Sequence, residues 1–333
     1  MVPLRVTSTE ATTADKLRLG VSACLLGDKV RFDGGHKRDP FLADLVSPFV
    51  EWVPVCPEVE AGFGTPREPM RLVRDGPGDG TAVRLMTVRT QLDVTRQLEK
   101  AVTSRVRQLA ALDLDGYVLK KDSPSCGLFR VKVYAASGAG AGERVGRGVF
   151  ASTLADALPL LPLEEEGRLG DPRLRENFIE RVFAYRRLRD LRSGPVRAGD
   201  LMRFHTCHKL LLLAHAPTAY ARLGRLVAGT RGRVSQRVLD EYAEAFMAAL
   251  SVLCSRGRHA NVLQHMAGYF DGLNAESRSE LASTIADYQR GLVPLVVPLT
   301  LIGHHARRHG VQYLLDQIYL QPHPKELMLR NHV

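Results

Sequence analysis

The sequence predicts an α/β domain, doubly wound around a mainly parallel sheet, followed by an all-α helical domain. Three observations carry the prediction. Short apolar runs alternate with helical periodicities up to Leu163. Beyond that point strand signals nearly vanish and helical periodicity takes over. Between the two halves, Leu163–Pro172 changes character, with an acidic run, two glycines and a proline. The predicted organisation is a flexible tail at 1–16, an α/β domain at 17–165 and a helical domain at 172–333.

Leu17–Ala23 reads as the first strand. The charged loop Gly27–Asp39 follows, a common setting for a binding site. Asp39–Val46 reads as a short helix with Pro40 near its start, and Val50–Val55 as the second strand. Glu58–Arg67 reads as a Gly/Pro-containing loop. Met70–Val73 and Ala82–Thr87 are short strands joined by a turn at Asp75–Gly80. Asp93–Leu112 places Val94, Leu98, Ala101, Val102, Val106 and Leu109 on one helical face. Gly116–Lys120 and Val131–Ala135 are further strands, with a Gly/Ala/Ser stretch at Ala136–Gly142. Gly148–Leu158 is a helix and Leu160–Leu163 the last strand. Helices are expected at Leu174–Arg192, Arg203–Ala214, Ser235–Leu253, Arg258–Phe270 and Glu276–Gly291, with a short one at Tyr313–Leu320.

Apolar content of 45% and charged content of 25% are those of a globular protein. No apolar run reaches the roughly 18–20 residues of a membrane helix. Met1–Lys16 is polar and lacks a signal-peptide apolar stretch, so a cytoplasmic protein without membrane attachment is expected. Five cysteines argue for metal binding or catalysis rather than a disulfide scaffold. The net charge of +10 is uneven: 22 basic against 19 acidic residues up to Leu163, then 24 against 17, with ten of the eleven histidines in the second part. A basic, arginine-dominated half suggests a polyanionic partner, most simply nucleic acid; a solvated helical surface gives the same composition.

Three cysteines share one context. Cys24, Cys56 and Cys126 each follow a short apolar run and precede loop chemistry, the geometry of a site at the carboxyl ends of a parallel sheet. Thiolate is a soft ligand that selects iron–sulfur clusters, zinc or copper(I). Spacings of 32 and 70 residues fit neither a zinc finger nor a ferredoxin run. Three dispersed cysteines can supply three corners of a 4Fe–4S cluster, leaving one iron open; each cysteine alone equally reads as a small buried hydrophobe. Glu58, two residues past Cys56, is a candidate base for water, or else a loop salt bridge. Ser123 and Ser125 beside Cys126 are candidates to hydrogen-bond a substrate carbonyl or relay a proton, or else turn formers.

These motifs are recognisable. Val21–Gly27 with Val30–Lys37, Pro54–Glu58 with Gly62–Arg67, and Lys120–Gly127 resemble the thiouracil desulfidase (TudS-like) family over about Leu17–Leu163. Phe204–Lys209, Asn261–Phe270, Pro294–Leu301 and Leu327–Asn331 resemble the YbgA-type domain found fused to it. The fused architecture is similar to that of RudS desulfidases acting on 4-thiouridine in tRNA. One departure is that Glu60–Arg67 lacks a Gly-Gly pair near its start, which alters the pocket wall and not the cysteines.

The resemblance implies that Cys24, Cys56 and Cys126 ligate a 4Fe–4S cluster whose fourth iron binds the thiocarbonyl sulfur. Water activated by a carboxylate then attacks the base at C4, and sulfur leaves as hydrosulfide without redox change. It also implies a tRNA partner containing 4-thiouridine, whose phosphates a basic helical domain would hold. The candidate contacts are Arg186, Arg187, Arg189, Arg203, His205, Lys209, Arg307 and Arg308, with Arg192, His208, Arg231, Arg233, His304 and His305 beside them. His205 and His208, three residues apart, also have the spacing of a metal pair but lack a third ligand. Two alternatives stay open: a desulfidase of free thiouracil, and an RNA-binding protein with a structural or redox-sensing cluster.

Overall fold

The computed structural model describes residues 16–74, 83–136 and 140–333. The chain divides into two compact units between Gly167 and Arg168. The turn expected at Asp75–Gly80, the tail at 1–15 and residues 137–139 of the Gly/Ala/Ser stretch lie outside the described residues.

Among the described residues, the first unit carries eight strands: β1 (Leu17–Ser22), β2 (Val50–Val55), β3 (Met70–Arg74), β4 (Val83–Thr87), β5 (Gly116–Leu119), β6 (Val131–Ala135), β7 (Glu143–Gly146) and β8 (Leu163–Glu165). They form two sheets. In the first, ordered β2-β1-β5-β8, every pairing is parallel. Its central strands are apolar without alternation because both faces are covered; all four residues of β5 are buried. Gly20 in β1 is needed there, since a Cβ would stand 2.0 Å from the Tyr117 ring. The second sheet, ordered β4-β3-β6-β7, is mixed: β3 and β6 are parallel, and the two edges antiparallel.

Short helices connect the strands. A one-turn helix α1 (Pro57–Glu60) opens the segment expected to be all loop, because Pro57 is preset for a first helical position. Helix α2 (Thr95–Ala110) buries Leu98, Val102, Val106 and Leu109, the face that the periodicity predicts, and packs on α3 (Val149–Ala157).

Two strand expectations change. The last strand is β8, shifted three residues from Leu160–Leu163: Pro162 has no N–H to donate, and the acidic run forms the edge instead. Glu164 and Glu165 are buried there at 3% and 5% exposure. β7 was not expected, since its solvent-facing residues show no apolar alternation.

The second unit is helical: α4 (Pro172–Arg192), α5 (Ala198–Cys207), α6 (Lys209–His215), α7 (Pro217–Ala228), α8 (Gln236–Leu250), α9 (Arg256–Ala267), α10 (Ala275–Arg290), α11 (Val296–Arg308) and α12 (Gln312–Leu315). The single helix expected at Arg203–Ala214 is two, broken at His208, whose Nδ1 turns back to Phe204 O at 2.7 Å. α11 forms in spite of Pro298, which sits in its first turn where an N–H has no intrahelical acceptor. Tyr313–Leu320 splits into α12 and a 3₁₀ turn at Ile318–Leu320. Phe178, Tyr242, Phe246, Tyr288 and Tyr319 fill the core. Among the described residues, no helix is long and apolar enough to cross a membrane.

Candidate active site

In the first sheet the chain runs from β1 to β2 on one side, then crosses to β5 on the other. Loops leaving the carboxyl ends of β1 and β5 therefore diverge, and a crevice opens between them. Cys24 lies in a 3₁₀ turn (Ala23–Leu25) directly after β1. Cys56 follows β2 and caps α1, and Cys126 lies in the loop after β5. All three line one cavity of about 350 Å³.

Backbone hydrogen bonds hold these loops. Lys37 N donates to Cys24 O (2.9 Å) and Asp39 N to Leu25 O (2.8 Å), folding the first loop back over β1. Ser123 Oγ accepts from Ser125 N (3.2 Å) and Cys126 N (3.0 Å), and Gly127 N donates to Ser123 O (2.9 Å). Buried Glu165 holds the far side, its Oε1 accepting from Leu128 N (2.7 Å) and Phe129 N (3.0 Å). Ser22 Oγ, at the end of β1, accepts from Lys120 N (3.0 Å).

Glu58 is 8% exposed and engaged from three sides. Ser125 Oγ, fully buried, donates to its Oε1 at 2.7 Å. Its Oε2 lies 3.4 Å from Cys56 Sγ and 3.4 Å from an Arg67 guanidinium nitrogen. Arg67 is itself fixed by Val30 O (2.9 Å) and Gly64 O (3.0 Å). Sequence reasoning gave Arg67 no role; it lies in a glycine-rich loop with no spacing signal linking it to Glu58. Ser123, expected with Ser125 near substrate, spends its hydroxyl on the turn, while its residue still lines the cavity.

The cavity wall is basic. Arg31, Lys37, Arg67, Lys120 and Lys121 face Glu58, Glu68 and Asp122. Lys120 Nζ pairs with Glu166 at 2.5 Å. Burial pushes the Cys24 thiol up to about 11, against Lys120 and Arg31, and pushes Cys56 up to about 12 with help from Glu58. Cys126 is raised well above the ordinary thiol value by burial and then by Glu58. A hydrogen bond with Ser22 pulls it down, and Cys56 and Cys24 add smaller upward pushes.

Three cysteine thiols on one cavity are the donor type that an iron–sulfur cluster takes. Among the described residues, no group of three or more His, Cys, Asp or Glu side chains is gathered closely enough to hold a metal ion. In an iron–sulfur cluster each thiolate binds its own iron, so ligands ring a volume rather than meet at a point. Three thiols line one cavity, as that arrangement needs; burial favours the thiol form of each, opposed at Cys24 by Lys120 and Arg31 and at Cys56 by Arg67.

The basic candidates of the helical unit divide. Arg203, Arg307, Arg308, Arg231, Arg233 and His304 are exposed, and Arg189 and Lys209 half-buried. Arg186 pairs with Asp190 (3.1 Å), and Arg192 with Asp240. His205 is corrected as a surface contact: it is 1% exposed, its Nδ1 3.2 Å from the Tyr242 hydroxyl. The aromatic core takes it, between Tyr242 and Tyr220, which the local sequence Phe204–Lys209 does not reveal. His208 and His305 are buried as well, at 2% and 5% exposure. Arg187 donates to Pro322 O (2.6 Å), and burial pushes its pKa down to about 10.

Comparison with known proteins agrees with this division into halves. The 2-thiouracil desulfurase family matches residues 19–166, and a protein family of unknown function, DUF1722, matches residues 209–324. The uncharacterized protein YbgA of Escherichia coli (strain K12) is 32% identical over 164 residues, covering 48% of this chain and 95% of that protein. The uncharacterized protein YbbK of Bacillus subtilis (strain 168) is 32% identical over 142 residues, 41% of this chain and 89% of that protein. A solved structure, the [4Fe-4S]-dependent thiouracil desulfidase TudS, is similar at 28% identity and a TM-score of 0.38, covering 46% of this chain and 94% of that one. The chain thus belongs to the 2-thiouracil desulfurase family through its first half, a TudS-like domain fused to a YbgA-type domain.

Proposed function

We propose that this protein is an iron–sulfur-dependent, non-redox desulfidase that converts 4-thiouridine in tRNA to uridine and releases hydrosulfide. The observation that carries the reading is the meeting of three thiols and a buried carboxylate on one cavity wall: Cys24, Cys56 and Cys126 with Glu58. Cys24, Cys56 and Cys126 would hold a 4Fe–4S cluster. When bound, that cluster supplies an open iron as a Lewis acid for the sulfur of the thio-base.

The protein's own groups do the rest. Glu58 takes the proton of the attacking water, on Oε2 or Oε1. The Ser125 hydroxyl donates to Oε1 and so fixes the plane of the carboxylate. Arg67 holds Oε2 and balances its charge. Lys120, Lys121, Lys37 and Arg31 make the wall positive, which favours an anionic leaving group over its protonated form. The exposed cations of the helical unit (Arg203, Arg307, Arg308) supply attraction for tRNA phosphates.

A second reading, free thiouracil as substrate, is favoured by the burial of His205 and the backbone engagement of Arg187, which remove two expected RNA contacts. One experiment tests both. Anaerobically reconstituted protein is incubated separately with thiolated tRNA and free thiouracil, and hydrosulfide is measured. Release from tRNA supports the first reading, release from the free base alone the second, and release from neither sinks both. Single replacement of Cys24, Cys56 or Cys126 by Ala is expected to remove the visible absorbance and the activity together. Retention of both would refute the ligand assignment.

A further inference from the structure

A second cavity, of about 420 Å³, adjoins the first. Met70, Asp122 and Pro124 line both, so the two share a wall. The floor of the second lies on the mixed sheet. Lys132 on β6 stands opposite Arg144 on β7, and Arg71 precedes Leu72 on β3 as Lys132 precedes its register partner Val133. The three cations thus form a row across three adjacent strands, each about 4.8 Å from the next. A bulge between Val131 and Lys132 shifts the register at the β7 end of that row.

Tyr134 follows Lys132 by two residues and lies on the same face. Its ring sits beneath the Arg71 guanidinium, 5.2 Å from the centroid. The charge is not neutralised locally. Arg144 pairs with Asp122 (2.9 Å), but among the described residues neither Arg71 nor Lys132 has a carboxylate partner, and Arg71 Nε is buried without a hydrogen-bond acceptor. Two uncompensated cations beside a half-exposed aromatic ring, on a sheet surface, have the chemistry of a nucleotide subsite: phosphate on the cations, base against the ring.

We infer that the groove on the mixed sheet binds the nucleotide next to the thiolated one, its phosphate on Arg71 and Lys132 and its base against Tyr134. The inference rests on the desulfidase reading in placing the thio-base in the first cavity. It puts a phosphate contact within the desulfurase-type unit itself, where the sequence expectation put the phosphate contacts in the helical unit. The Asp122–Arg144 pair stands at the shared wall, so a strand crossing from one cavity to the other passes it.

The test is direct binding, which needs no turnover. Fluorescence anisotropy of the full chain with an unmodified single-stranded RNA oligonucleotide is measured from low to moderate salt. The double variant R71A/K132A is expected to bind about tenfold more weakly at low salt, with a salt slope shallower by about 1.4. Tyr134→Leu should weaken binding at least about fivefold and leave the slope unchanged. A charge-matched control, K100A/R107A on the exposed side of α2, should lose far less. Thermal midpoints of all variants are taken alongside, and Arg71→Lys with Lys132→Arg, which keeps the charges, should restore the slope.

Equal loss in the control, or wild-type binding by R71A/K132A, would overturn the groove. If the pattern holds while no thiolated substrate releases sulfur, the groove stands and the desulfidase reading alone falls.

Discussion

Glu58 is visible in the sequence two residues past Cys56, but its partners are not. Ser125 is 67 residues away, and meets it because β1 lies between β2 and β5. The adjacency of those strands is decided by the whole sheet and not by any local spacing. The pairing makes two substitutions separable. Glu58→Gln keeps an oxygen to accept from Ser125 but removes the base and the counter-charge of the largely buried Arg67 side chain; turnover should fall by about 10²–10⁴-fold, and the thermal midpoint should drop as well. Ser125→Ala leaves a buried carboxylate oxygen without its donor, at about 1–3 kcal/mol of stability, and should lower turnover less than Glu58→Gln does. Steady-state sulfur release with thermal melts reads both. Full activity in Glu58→Gln would move the base elsewhere.

At the scale of elements, the cysteine loop and α3 are one unit. The first N–H groups of a helix have no internal acceptors. Here the loop supplies them: Val149 N donates to Pro124 O (3.2 Å) and Phe150 N to Ser125 O (2.9 Å). Gly148 allows that approach, since a Cβ would stand 2.3 Å from Ser125 O and 2.9 Å from Cys126 N. Both neighbours are backbone, so neither yields as a side-chain tip would. Gly148→Ala should cost about 1–3 kcal/mol and displace Cys126, and iron bound after anaerobic reconstitution should drop well below the wild-type content. Normal iron content would show that the loop adapts. The fold class and the strand-then-cysteine context were legible because apolar runs and periodicity are local. β7 was not, because it is an exposed edge, and β8 was placed three residues early because it buries two glutamates that read as a linker. α7 escaped notice among short-range Ala, Arg and Leu, and α11 behind its prolines.

Across the whole molecule, the two units differ in how protons act on them. In the helical unit burial pushes His208 and His259 down to about 3 and His205 down to about 4. Each is neutral when folded and takes a proton on unfolding below 6.5. The stability they preserve is full above that pH and is lost as pH falls toward 4. His208 and His259 alone give a slope of about 3 kcal/mol per pH unit over much of that window, against a total of roughly 5–15 kcal/mol for a domain. Glu176 acts in the same direction: burial would raise it, but His323 and Arg330 hold it well below the carboxylate range, so its contribution is lost in acid. His215 acts oppositely. Burial pushes it down, the Glu180 carboxylate outweighs burial, and the charged pair persists in acid. The neutral histidines outnumber it. The desulfurase-type unit has a single histidine, exposed His36; burial raises its Glu165, which contributes stability at low pH. Its lowered carboxylates, Asp33, Asp44, Glu68, Asp93 and Asp122, are exposed or half-exposed and screened, so their loss in acid is small. Acid should therefore unfold the helical unit first. The sole tryptophan, Trp52, lies on β2 and reports the other unit. On lowering the pH from 7 to 4, the helical circular dichroism signal should fall before Trp52 fluorescence changes. Coincident transitions would mean that the units unfold as one and that the buried histidines of the second do not set its acid limit.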